Sequence, residues 1–397
     1  MQTDIAPRVL SPHVAADFAA QEFQARIQDT RAGMREAGLD ALLLVSPENI
    51  YYLLGLNHQG YFAFTLLVLP IEGPPLLVTR AMEHITVTMQ APGCVHVPFN
   101  EGGDPAAAAI DAIGQVTESG QMVGVEEATM FFPVAVWMRI REALWDRLWT
   151  DGTGVVERVR SVKSPAEIAF IRRAATISDR AIRAGIDAAG DAGTERAVAA
   201  AIYHEMILAG SEHPGFAPFI RSTDILGQEH VTWRDRELRS GTGVLMELSA
   251  SVYRYHAPLS RMICVGEASP GVHDAAEIAL AGLGAVRDAL VPGAIAGDVY
   301  AAWQKTVDQG LGHEGYRRHH CGYMVGIGFP PSWVGGSAVI GLRSESELVI
   351  REGMVFHVLS WLLGQEPGDY CVSDTALVTA DGCELLTTIQ REPIVLG

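Results

Sequence analysis

Val159-Arg160-Ser161-Val162-Lys163-Ser164-Pro165-Ala166-Glu167-Ile168 is the stretch on which the fold turns. Ser164 and Glu167 stand three residues apart, with Pro165 at the first helical position, which is the spacing of a capping box. Behind it Ile168, Ile171, Ala175, Ile182 and Ile186 keep one apolar stripe at helical spacing until Gly190. A second helix is predicted from Thr194 to Leu208, with Gly210 behind it. From Gly243 the pattern becomes strand-like, further helices occupy Val272 to Leu290 and Ile295 to Asp308, and strands return toward the C-terminus. Two helix-then-strand halves predict an α+β domain over residues 161–397. Upstream the texture differs. A polar helix from Phe18 to Glu36 stops at Gly38, a natural C-terminal cap. Apolar runs Ala41–Val45, Phe62–Leu69, Pro75–Thr79 and Met122–Val125 then alternate with helical stretches such as Phe132–Asp146. That alternation predicts a smaller α/β domain with a mixed sheet over residues 1–160.

Composition narrows the function. The 397 residues are 48% apolar and 19% charged, which fits a folded globular chain long enough to need no disulfide or metal staple. The formal charge is −18 with no basic block, which argues against nucleic-acid binding. Five cysteines (Cys94, Cys264, Cys321, Cys371 and Cys383) lack CxxC spacing and read as reduced thiols. The start, residues 1–13, lacks the basic and apolar regions of a signal peptide, and no apolar run approaches the ~18 residues of a membrane helix. The expectation is a cytoplasmic protein with no membrane partner. Several chemistries lack their motifs: there is no GxGxxG after a strand, no GxxxxGK[ST] and no GxSxG. His204-Glu205 is followed by Met-Ile-Leu, so HExxH is absent too.

The 159–168 stretch resembles the entry to the catalytic domain of the creatinase and aminopeptidase P family, and the order of later landmarks agrees. These are His230, then Glu247 at the end of an apolar strand, then the glycine-rich Gly322–Gly328, then Glu352-Gly353-Met354-Val355, then Leu377-Val378-Thr379 with Asp381-Gly382. The resemblance covers essentially the whole chain. It implies a pita-bread α+β catalytic domain preceded by a creatinase-type N-terminal domain. The family's peptidases bind two metal ions through two aspartates, a histidine and two glutamates. Those positions fall here on Glu247, Pro258, Val325, Leu359 and Ser373. Proline, valine and leucine offer no side-chain lone pair, so the implied branch is the metal-free one, without cofactor.

Within that branch the sequence is most similar to the ectoine hydrolases. The similarity rests on Asn49–Gly55 with Gly60-Tyr61-Phe62, His230-Val231-Thr232-Trp233, Met246-Glu247-Leu248, Arg254–Arg261, Gly322–Trp333 and Met354–His357. Met324 and Ser332 depart from a serine and an acidic residue, and Met262 replaces a threonine. The resemblance implies hydrolysis of a non-peptide C–N bond in a small zwitterionic solute, ectoine ring opening first, with creatine as the nearest competitor. Two other classes stay open: a peptidase relative recruiting metal through His256 and His357, and a non-catalytic binding homologue.

Each candidate residue has a plainer alternative. An imidazole can take and return a proton near neutral pH, and the resemblance places His230 in that role. Glu247 ends a buried strand, so its carboxylate needs a cation or donors. It either meets or attacks a cationic amidine, or it pairs with an arginine such as Arg261. Tyr255 and His256 alternate along the next strand, so one faces the core and the other the opposite side. His256 either lines the pocket or satisfies a backbone carbonyl. His357 and Asp374 either support the site or make ordinary hydrogen bonds. Phe329-Pro330-Pro331-Ser332-Trp333 offers aromatic faces to an organic cation, together with Trp233, or is a packed turn. His319-His320-Cys321 reads as a solvated or structural cluster. Tyr61 and Phe62 are core residues or, as the resemblance implies, part of a loop completing the neighbouring subunit's site in a homodimer.

Overall fold

Ser164 accepts a hydrogen bond from the Glu167 backbone N–H, and the Glu167 carboxylate answers to the Ser164 N–H, so the capping box closes. The computed structural model describes residues 18–335 and 339–397. The stretch of residues 1–13 read above for a leader lies outside the described residues. The chain divides into two compact units, Met1–Val159 and Arg160–Gly397.

The first unit holds α1 (Ala20–Glu36), β1 (Ala41–Leu44), α2 (Pro47–Leu54), β2 (Leu66–Pro70), β3 (Leu76–Arg80), α3 (His84–Gln90) and β4 (Val95–Phe99). It continues with α4 (Pro105–Val116), β5 (Met122–Val125), α5 (Val134–Ala143) and β6 (Leu148–Asp151), and α6 (Val155–Arg160) closes it. The strands form one mixed sheet in the order β4-β3-β2-β1-β5-β6, with β1–β2 and β2–β3 antiparallel and the other pairs parallel. Its central strands are fully buried, so they read as unbroken apolar runs. The run beginning at Phe62 becomes a strand only at Leu66, because Gly60–Phe62 form a 3-10 turn.

The second unit begins with α7 (Pro165–Ala192) and α8 (Glu195–Leu208), followed by β7 (Phe219–Ser222), β8 (Gly243–Val252) and β9 (Tyr255–Val265). Then come α9 (Pro270–Ala289), α10 (Ala296–Leu311), β10 (Gly322–Met324), β11 (Val355–Leu362), β12 (Tyr370–Thr379), β13 (Gly382–Leu385) and β14 (Ile394–Leu396). The sheet runs β10-β11-β12-β9-β8-β7, with β13 on β12 and β14 on β9. Helices α7 and α9 pack on it and are buried along one face, as their apolar stripes require. Among the described residues no helix is long and apolar enough to cross a membrane.

Candidate active site

Strand register aligns five side chains across the second sheet. Phe219 pairs with Glu247, Glu247 with Ser260, Ser260 with Ser373, and Ser373 with Leu359. Paired residues share a face, so this row is one line across four neighbouring pairs. Phe219, Glu247 and Leu359 line a cavity of about 280 Å³. Glu247 is buried and makes no side-chain hydrogen bond among the described residues. Burial is the main force on its carboxyl and pushes its pKa up to about 7, with nearby Glu229 adding to the rise; Arg221 and Arg318 pull against it.

Those two arginines supply the opposite charge. Arg221 lies two residues along β7 from Phe219 and is buried. Its Nη1 donates to the Leu226 and Gln228 carbonyls at 3.1 and 2.9 Å, which fixes the turn that presents Glu229 and His230. Arg318 Nη2 donates to Glu229 Oε1 at 2.8 Å. Burial opposes ionisation of Glu229, but the Arg318 bond and charge prevail and hold it below the usual carboxylate range. The Nε atoms of Arg221 and Arg318 are buried and have no partner among the described residues. Both guanidiniums lie against the Trp361 ring, at 5.3 and 5.4 Å from its centroid. The sequence reading missed Arg221, Arg318, Phe216, Phe219 and Trp361. The signal was the period-two spacing Phe219-x-Arg221 and His357-x-Leu359-x-Trp361 on strands that flank the row.

His230 reaches this cavity from an exposed turn, with a backbone φ of 57°, a left-handed conformation uncommon outside glycine. Its ring lies 6.2 Å from Phe216 and 6.0 Å from Phe219 between centroids. Trp333 closes the wall edge-on to Phe216 at 4.8 Å, and its Nε1 donates to the Tyr323 hydroxyl at 3.1 Å. His319, which is exposed, and His320, which is half-buried, also line this cavity from the irregular segment that precedes β10. Burial holds the His320 imidazole down at about 3.

Other sequence candidates stand elsewhere. Tyr255 points away from the cavity and donates to Glu167 Oε1 at 2.8 Å. His256 has both ring nitrogens committed: Nδ1 donates to the Arg254 carbonyl at 2.8 Å and Nε2 accepts from the Gly215 N–H at 2.9 Å. Burial lowers its pKa to about 3, so it is a neutral brace for the loop bearing Phe216. Phe329 is buried under the Arg254 guanidinium at 4.6 Å rather than facing a ligand. Trp233 packs edge-on against Tyr203 at 5.7 Å and lines a neighbouring depression that shares His230 with the Glu247 cavity. Asp374 is one residue past Ser373 and so faces the other side of the sheet. There it binds Arg261 Nη2, Arg391 Nε and Thr387 Oγ1, each at 2.7 Å. Arg261 therefore serves Asp374 and not Glu247.

His357 lies behind the wall, held between the Tyr323 hydroxyl at 2.8 Å and Ser373 Oγ at 2.6 Å. In the first unit Tyr61 donates to the Leu56 carbonyl at 3.1 Å, while Phe62 is 82% exposed with the Arg80 guanidinium 4.7 Å from its ring centroid.

Comparison with known proteins agrees with this architecture. Residues 169–380 match metallopeptidase family M24, and residues 26–162 match the creatinase/prolidase N-terminal domain. An ectoine hydrolase from Halomonas elongata is 25% identical, covering 96% of this chain and 99% of its own. A Xaa-Pro dipeptidase from Pyrococcus horikoshii is 24% identical, covering 91% and 96%. The solved prolidase from Thermococcus sibiricus superposes with a TM-score of 0.85 at 21% identity, over 95% of this chain and 100% of the prolidase. The fold and the family follow from these matches; the substrate does not, since relatives with different substrates align equally fully.

Proposed function

From the premise that this chain belongs to metallopeptidase family M24 and is a hydrolase of that family, we propose that it hydrolyses a non-peptide C–N bond in a small zwitterion, with ectoine the leading substrate. The family name implies a metal centre, and the residues present do not fit one. Of the positions that should carry ligands, Pro258, Val325 and Leu359 have no donor and Ser373 is hydrogen-bonded within the sheet. Among the described residues no group of three or more His, Cys, Asp or Glu side chains is placed to hold a metal ion.

The observation that carries the reading is the lone Glu247 carboxylate, unpartnered on the floor of an aromatic-walled cavity whose opposite charges are Arg221 and Arg318. An amidinium meets Glu247 through charge-assisted hydrogen bonds, and the substrate carboxylate is drawn to the guanidinium charges of Arg221 and Arg318. Phe216, Trp333 and Trp361 flank the ring and exclude water, which strengthens both contacts. Held so, the amidine carbon is attacked by water, or by Glu247 itself as a transient nucleophile released by water afterward. His230 takes the proton from water and returns it to the departing ring nitrogen, giving acetylated diaminobutyrates from ectoine. Part of this proposal is that the working unit is a homodimer in which the Tyr61–Phe62 loop completes the neighbouring site; the exposure of Phe62 supports it.

The test is incubation of chelator-treated protein with ectoine and with creatine, followed by NMR. Ring opening of ectoine supports the assignment. Urea from creatine with ectoine untouched moves the substrate and keeps the class, while activity that appears only on adding divalent metal sinks the metal-free mechanism.

A further inference from the structure

Behind the cavity wall runs a buried line of polar atoms: Trp333 Nε1, Tyr323 hydroxyl, His357, Ser373 and Ser260. Successive separations are 3.1, 2.8, 2.6 and 2.8 Å. It occupies the part of the sheet where the resembled peptidases keep metal ligands, and Ser373 stands at one such position. Counting protons fixes its direction. A hydroxyl has one proton, and that of Ser373 goes to Ser260 Oγ. The Ser373 oxygen must therefore accept from His357 Nε2. His357 is fully buried and neutral, so a proton on Nε2 leaves Nδ1 bare. Nδ1 then accepts the only proton of Tyr323. Indole N–H groups can only donate, so the Tyr323 oxygen also receives Trp333.

Tyr323 lines the cavity with its proton already committed. Toward a ligand its oxygen has one lone pair to offer and no donor. We infer that Tyr323 is a specificity-determining residue that accepts a hydrogen bond from an N–H of the cationic ligand and rejects a carbonyl or carboxylate at the same spot. His357 is the positioning residue that keeps it so. This rests on the reading of the cavity as a site for a small zwitterion, and it extends that reading from charge to hydrogen-bond polarity. An oxygen that can only accept is left unpaired by a cation without N–H, and an unmade buried hydrogen bond is costly.

Two measurements test it. Nitrogen-15 NMR of histidine-labelled protein, with His357 assigned from the His357→Gln spectrum, should show a single neutral tautomer protonated at Nε2. An Nδ1–H tautomer or an imidazolium near pH 7 overturns the inference. Calorimetry with creatine and glycine betaine then separates N–H from charge, since both are cationic carboxylates and only creatine carries N–H. The intact protein should prefer creatine by roughly tenfold or more, the scale of a hydrogen bond to a charged group. Tyr323→Phe should erase most of that preference, and so should His357→Leu. His357→Gln, whose amide can both accept from Tyr323 and donate to Ser373, should keep it. An unchanged preference in Tyr323→Phe, or binding of neither compound, overturns the inference. Ectoine left intact while tautomer and preference hold would remove the proposed substrate alone.

Discussion

Each unit contains a buried glutamate whose carboxyl is pushed upward chiefly by burial, and the fold treats the two in opposite ways. Glu126, in the first unit, also feels the neighbouring Glu157. Its oxygens accept from the Val45 and Ser46 backbone N–H groups at 2.8 Å each and from Asn49 Nδ2 at 2.7 Å. It pins the start of α2 to the sheet, and its bonding capacity is spent inside the fold. Glu247 has similar burial but, among the described residues, no side-chain hydrogen-bond partner, with a cavity in front of it and two arginines nearby. Burial alone thus does not mark a functional carboxylate. The distinguishing feature is whether the fold has already satisfied it.

The comparison breaks most sharply on substitution. Glu247→Gln should leave a folded protein with turnover down by ~10² to 10⁴, the range for removing a positioned reacting group, measured by NMR product formation. Glu126→Gln should leave turnover within a few-fold and instead lower stability by about 1–3 kcal/mol in urea melts, because an amide NH₂ is set against backbone donors. The same contrast separates two histidines. His230→Ala should lower turnover by ~10² or more with the melting temperature unchanged. His256→Ala should lower the melting temperature first, since it takes the acceptor from the buried Gly215 N–H and one of the donors from the Arg254 carbonyl, which keeps the Gly328 N–H.

The pH dependence sharpens the picture further. The folded-state pKa of Glu247 is raised to about 7, above its ordinary value of 4.5. Its favourable contribution to stability is therefore full below about pH 4.5 and is lost as pH rises through 7. Glu247→Gln should be more stable than the parent at pH 8, on the order of 1–3 kcal/mol, with the difference vanishing near pH 4. A parent protein equally stable relative to the variant at both pH values would mean that Glu247 is already neutralised by its surroundings. The smallest effect expected is from Tyr255→Phe, which loses one hydrogen bond to Glu167. Stability should drop by about 1 kcal/mol and turnover should stay unchanged.

The two units were legible in the sequence because their signals are local: the capping box at Ser164, the glycine stops, and the switch from strand–helix alternation to long amphipathic helices. Glu247 was legible as a cavity residue because its neighbours in chain order locate it within the resembled site, where Pro258, Val325 and Leu359 carry no donor side chain. Partners decided the remainder. Asp374 looked like Glu247 in one dimension, yet a single residue of register turns it to the far face, where Arg261 and Arg391 are waiting. His256 and Phe329 were absorbed by contacts with Gly215 and Arg254, which no local pattern announces. Arg221 and Arg318 lie 97 residues apart in the chain (318 − 221) and are brought together by the fold around Trp361 and Glu247.

The row Phe219–Glu247–Ser260–Ser373–Leu359 also bears on ancestry. Rebuilding a two-metal set on this sheet would require changes at Pro258, Val325, Leu359 and Ser373, with Glu247 shortened as well. Every partial step adds a buried carboxylate or imidazole before there is a cation to hold it, which destabilises the fold through desolvation and like-charge repulsion. On the metal-free reading proposed above, single substitutions toward a ligand set therefore cost stability before any metal is gained, and a two-metal centre needs several replacements at once.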